Sequence, residues 1–128
     1  MSNKLKALMA LALLGASSLA VAADLGDDMD TIASNYKTVL STNSTDTLKQ
    51  SLQNMRAAAL DAKQSTPPKL EGKAAGSSEI KDFQHGMDQL IGQIDQSLAL
   101  ANQGKLAEAK KVAQGFKQTR DVNHKKFR

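Results

Sequence analysis

The 128-residue chain predicts an all-α fold, an antiparallel up-down-up-down four-helix bundle. Three observations carry that reading. Apolar residues recur every three or four positions through four separate segments, the spacing that puts them on one face of a helix. None of those segments alternates apolar and polar residues as a half-buried strand does. The breaks after the first and third segments are short enough to force antiparallel neighbours.

The fold is preceded by a leader. Lys4 and Lys6 stand before the apolar run ALMALALL, and Ala20-Val21-Ala22 offers small residues at a cleavage site. This is the pattern of a secretory signal peptide, with an apolar part too short to span a membrane. Residues 1–22 are assigned to that signal and residues 23–128 to one small domain, expected in the periplasm as a monomer. No membrane insertion is expected after cleavage. Loss of Lys4 and Lys6 lowers the formal charge of +4 by two. A near-balanced domain gives no reason to expect a nucleic-acid partner. The compartment permits disulfides, but the chain has no cysteine and must rely on its core, a ligand, or both. Aromatics are few, one Tyr and three Phe with no Trp, so a large flat ligand would complement a core of Leu, Ile, Ala and Met.

Helix 1 is expected from Leu25 to Leu40, with Leu25, Met29, Ile32, Ala33, Tyr36, Val39 and Leu40 on its apolar stripe. The polar run Ser41-Thr42-Asn43-Ser44 ends it, and Ser44 or Thr45 can cap the next helix. Helix 2 is expected from Thr45 to Lys63 on Leu48, Leu52, Met55, Ala59 and Ala62. Pro67 and Pro68 stop it, because proline lacks the N–H and clashes with the preceding turn. After the small-residue loop from Gly72, Ser77 or Ser78 caps helix 3. That helix runs to Asn102 on Ile80, Phe83, Met87, Leu90, Ile94, Leu98 and Ala101. Asn102-Gln103-Gly104 supplies a glycine for a left-handed helix end. Helix 4 is expected as one element from Leu106 to Phe127, on Leu106, Ala109, Ala113, Phe116, Arg120, Asn123 and Phe127. The stretch LALANQGKLAEAKKVA resembles part of a tetratricopeptide helix pair but occurs once, so it implies no repeat array.

This topology collects chemistry at one pole. The start of helix 1, the end of helix 4 and the loop between helices 2 and 3 share it. Met29, His124, Pro67, Pro68, Phe83, His85 and Met87 should therefore cluster there, while the other pole carries only polar turns. A methionine on a core stripe ordinarily packs, and a histidine in a last turn ordinarily complements the helix dipole. Facing each other across adjacent helices, a thioether and an imidazole are also one of the pairs that hold a haem iron from both sides. Without C-x-x-C-H the haem would be b-type and non-covalent. Arg120, one turn before His124 on the core stripe, either snorkels to solvent or faces a propionate; Arg128 is a weaker candidate for that role. His85 lies off the face of Phe83 and Met87, and a zinc site from it and His124 lacks ligand spacing. The lysines Lys110, Lys111, Lys117, Lys125 and Lys126 read as a solvated face. No nucleophile–base pair, phosphate loop or HExxH is present, which argues against an enzyme. Two filled axial positions would favour electron transfer over oxygen chemistry. The alternative is a haem-free periplasmic bundle serving as a stress or ligand-binding protein.

The strings ADLGDDMDT, NMRAAALDA, TPPKLE, KDFQHGMD, GQID, LANQGK and TRDVNHKKFR, in that order, resemble the soluble periplasmic cytochrome b562 family over essentially the whole of residues 23–128. The resemblance implies non-covalent haem b, with Met29 and His124 as the iron ligands and electron transfer with unidentified periplasmic redox proteins. The expected pocket is Arg120, Phe83, Met87, Pro68 and Phe127. Three positions depart from the family's usual residues. Asn123 stands where an aromatic is usual, Met87 where Phe is usual, and Gly26 replaces an acidic residue. The first two bear on how dry the pocket is, and so on haem affinity and potential.

Overall fold

The computed structural model describes residues 24–127; the leader assigned to residues 1–22 and Arg128 lie outside them. The described residues form five helical segments and no strand: α1 (Leu25–Ser41), α2 (Thr45–Lys63), α3 (Ser78–Asn102), α4 (Leu106–Gln114) and α5 (Phe116–Phe127). A 3₁₀ turn, Pro68–Leu70, lies in the connection between α2 and α3. Segments α4 and α5 together make the fourth helix of an antiparallel four-helix bundle.

The helix starts follow from local hydrogen bonding. The Asp24 carboxylate accepts from the Asp27 N–H at 2.7 Å, and Asp27 and Asp28 occupy the positive first turn of α1. The hydroxyls of Ser44 and Ser77 accept from the N–H groups of Thr47 and Ile80 at 3.2 and 3.3 Å. Each satisfies an otherwise unpaired donor at a helix start. Gly104, at φ +76°, takes the left-handed turn after α3 that a side chain would resist.

The core is continuous. Leu48, Leu52, Met55, Val39, Ile94 and Phe116 are almost wholly buried, and each such side chain contributes about 1.5–3 kcal/mol. Between α2 and α3 the Arg56 guanidinium grips Asp95 at 2.6 and 3.3 Å, an exposed pair that solvent screens.

The fourth helix breaks at Gly115, where the periodicity predicts continuity. Its cause is a side chain from α1. The buried Tyr36 hydroxyl donates to the Ala113 carbonyl at 2.8 Å and lies 3.3 Å from that of Gln114. The Lys117 backbone N–H, which would reach the Ala113 carbonyl in a regular helix, lies near the phenol and lowers its pKa. A polar group inserted into the ladder interrupts it. The Gly115 N–H tightens to the Val112 carbonyl at 3.0 Å. Small residues permit the approach: Ala109 and Ala113 are fully buried, and the Ser97 hydroxyl reaches the Ala109 carbonyl at 2.8 Å.

The break separates two packing regimes. Segment α4 lies against α1 and α3, whereas α5 lies against α3 and the Pro68–Leu70 turn, and its backbone scarcely approaches α1. The first half of α1 therefore faces a wedge. Leu25 and Met29 are half-buried, and Ala33, which the periodicity puts on the core stripe, is exposed. Leu40, also on that stripe, is 40% exposed near the end of the helix.

Tyr36→Phe should lower stability by about 1–2 kcal/mol, read from urea unfolding, because the freed Ala113 carbonyl is buried. An unchanged midpoint would show that the hydroxyl is not what holds the two segments together.

Candidate functional site

The wedge between α1 and α5 is built from apolar side chains with one cation. Ile32, Ala33 and Tyr36 come from α1, Met55 from α2, Leu90 from α3, and Phe116 and Arg120 from α5. Tyr36 and Phe116 stack with centroids 5.7 Å apart. The Arg120 guanidinium lies 6.0 Å from the Tyr36 ring centre and pairs with Asp121 at 3.2 Å. Burial raises the Tyr36 phenol above its usual value, opposed by the Lys117 N–H and by Arg120. The side chains leave a cavity of only about 10 Å³, so a planar ligand would have to part them.

Met29 and His124 each sit about one helical turn beyond this lining, Met29 before Ile32 and Ala33, and His124 after Arg120. Met29 is half-buried and packs against the core; His124 is exposed. Phe83 and Met87 are both 5% exposed. Phe83 meets Phe127 edge to face at 5.5 Å, an arrangement worth about 0.5–1.5 kcal/mol beyond burial. Pro68 is exposed and Pro67 is the buried proline, because the 3₁₀ turn that Pro68 opens carries its ring outward. His85 is exposed.

Asn123 occupies a place the sequence alone does not reveal. A Cβ added at Gly86 would overlap the Asn123 side chain, so the missing side chain on α3 is what lets the Asn123 amide lie against that helix. Its NH₂ donates to the Thr119 carbonyl at 2.9 Å, and the Thr119 hydroxyl reaches the Gln93 amide oxygen at 2.7 Å. A hydrogen-bonded polar chain thus borders the apolar pole.

A second polar feature, between α1 and α2, also escapes a reading of apolar periodicity. Asp28 is 4% exposed and faces Asp61. Burial first, and then its hydrogen bond with Asp61 and the Asp61 charge, raise the Asp28 carboxyl to about 7. The signal available was an acid at a stripe position, three residues after Leu25 and four before Ile32.

The fold defines a class, an all-α four-helix-bundle protein. The cytochrome b562 family matches residues 24–128. A Yersinia pestis protein described as probable soluble cytochrome b562 2 is 56% identical over 128 residues, the whole of both chains. Another from the same organism, probable soluble cytochrome b562 1, is 44% identical over 112 residues, 88% of each chain. An uncharacterised Pasteurella multocida protein is 26% identical over 127 residues, 98% of this chain and 99% of its own. The chain belongs to the cytochrome b562 family. Among the described residues no helix is long and apolar enough to cross a membrane.

The Asp28 carboxyl binds its proton more tightly in the fold than in the unfolded chain. Its contribution to stability should therefore be greatest at low pH and be lost as pH rises from about 3.8 through about 7. Asp28→Asn should flatten that slope in urea titrations run in chelator. An equal slope in both proteins would mean the carboxyl is not held as described.

Proposed function

We propose that this protein is a periplasmic one-electron carrier that holds one haem b non-covalently in the wedge between α1 and α5. The observation that carries the proposal is the wedge itself. It is where the first and last helices part, it is lined by apolar side chains and Arg120, and Met29 on α1 and His124 on α5 each lie about one helical turn beyond residues of that lining. The donor set fits the group: a soft thioether and a borderline imidazole suit iron, and a guanidinium suits a propionate.

In this reading Met29 and His124 would hold the iron, and Arg120 would pair with a propionate. Phe83, Met87 and Phe127 exclude water from one end, and Pro68 borders the opening. The bound haem would supply a one-electron couple. The thioether favours the reduced state and raises the potential. Ligands from two helices of one rigid bundle hold their positions in both oxidation states, which keeps rearrangement small. An iron held by two protein side chains would suit a carrier more than an enzyme. The leader at residues 1–22 supports export to the periplasm, where redox proteins would be the partners. With no cysteine in the chain, attachment is non-covalent.

Haemin titrated into the purified protein should bind saturably, one per chain, and give a six-coordinate low-spin spectrum on reduction. Met29→Ala and His124→Ala should each abolish that signature, and haem should raise the melting temperature of the parent. Absence of saturable binding, or the same spectrum in both variants, would favour a haem-free bundle. Arg120→Gln should weaken haem binding by about tenfold, the worth of one charge-assisted contact, while leaving the low-spin spectrum intact.

A further inference from the structure

We propose that Met29 is a site of selective, reversible oxidation by peroxide, and that its sulfoxide withdraws the thioether donor from the wedge. The first part stands on the folded chain alone. The second deepens the carrier reading and rests on it.

The chain has five methionines, of which Met29, Met55 and Met87 fall among the described residues. Two of these three are sealed. Met55 is 1% exposed although it lines the same wedge, and Met87 is 5% exposed. Met29 is only partly covered. Its own helix supplies half of the reason. Gly26 and Ala33 stand three residues before it and four after, the spacings that make neighbours on a helix face. Ala33 lines the wedge, and both residues are exposed. A helical side chain lies over the turn that precedes its own Cα, which for Met29 is the turn of Leu25 and Gly26. On the wedge side of that turn Gly26 has no side chain to shield the sulfur. A Cβ built there would meet the Asp24 carboxylate at 3.3 Å and no other helix within 4 Å. The rest of the reason is α5, whose backbone scarcely approaches α1.

The step is a two-electron oxygen transfer. A sulfur lone pair attacks one oxygen of hydrogen peroxide, and the O–O bond breaks as the S–O bond forms. The departing hydroxide takes the proton from the transferred oxygen and leaves as water. Sulfur is oxidised and peroxide is reduced. Sulfoxide reductases, one for each epimer, return the thioether. The oxidised side chain is polar and chiral where a flexible apolar one stood. It presents a hard oxygen in place of the soft sulfur that suits iron.

Haem-free protein is exposed to dilute hydrogen peroxide, quenched with catalase at intervals and digested, and peptide mass spectrometry then reads each methionine separately. Met29 should oxidise about tenfold or more faster than Met55 and Met87. In urea, where the fold shields none of them, the three rates should converge. The two reductases together should return Met29 to the thioether. Equal rates in the folded protein, or faster oxidation at Met55 or Met87, would overturn the proposal. Haemin added to the oxidised protein should give no six-coordinate low-spin spectrum, with helical circular dichroism unchanged, and reductase treatment should restore that spectrum. A spectrum indifferent to Met29 oxidation would overturn the second part. Because the mapping needs no haem, selective oxidation in a protein that binds no haemin before treatment would count against the carrier reading alone.

Discussion

Tyr36 ties the first helix of the bundle to the last by placing its hydroxyl in a helical ladder instead of beside it. The Ala113 carbonyl would accept from the Lys117 N–H in a straight helix; here it accepts from the phenol. Two consequences follow. Before the break, α4 is drawn against α1 through small residues. After it, α5 leaves α1 and settles on α3 and the Pro68–Leu70 turn. The wedge at the functional pole is thus a product of one buried hydrogen bond and a glycine that tolerates the tightened turn.

The wedge also explains the uneven burial along α1. Residues beyond Tyr36 that face the core, such as Val39, are wholly buried, because α4 covers them. Leu25 and Met29 are half-covered, because α5 does not. A flexible thioether at that place can pack in the absence of a partner and turn toward one when it arrives. His124, further along α5, is exposed. Polar Asn123 against Gly86 makes the far rim of this pole wetter than an aromatic would. Lower pocket dryness shifts a bound haem's potential, so that rim is where this chain should differ functionally from relatives with an aromatic there.

Most of the fold was legible because helix starts and stops depend on local chemistry. Ser44, Ser77, the two prolines and Gly104 each act within a few residues of themselves, and the ends of α2 and α3 fall where those residues predict. The break at Gly115 was not legible. It depends on a tyrosine 79 positions earlier in sequence that local spacing marks only as another core residue. Periodicity also treats every stripe position as equally covered, which is why Ala33 and Leu40 were assigned to the core and are exposed. At the site, the residue types at the pole could be read from topology. Side-chain direction could not: Pro67 and Pro68 are adjacent in sequence, and only the 3₁₀ turn decides which one is buried. Asp28 and Asp61 were hidden because an apolar pattern has no vocabulary for paired acids.

The central claim is that Met29, and no other methionine of the domain, binds the iron. Methyl carbon-13 labelling of methionine in the reduced, haem-loaded protein tests it directly, because a ligating thioether places its methyl over the macrocycle, where ring current moves its resonance far upfield. The account predicts that the Met29 methyl makes by far the largest shift, with Met55 and Met87 remaining near the aliphatic range. A Met29 methyl that stays in place, or a larger shift at Met87, would contradict it.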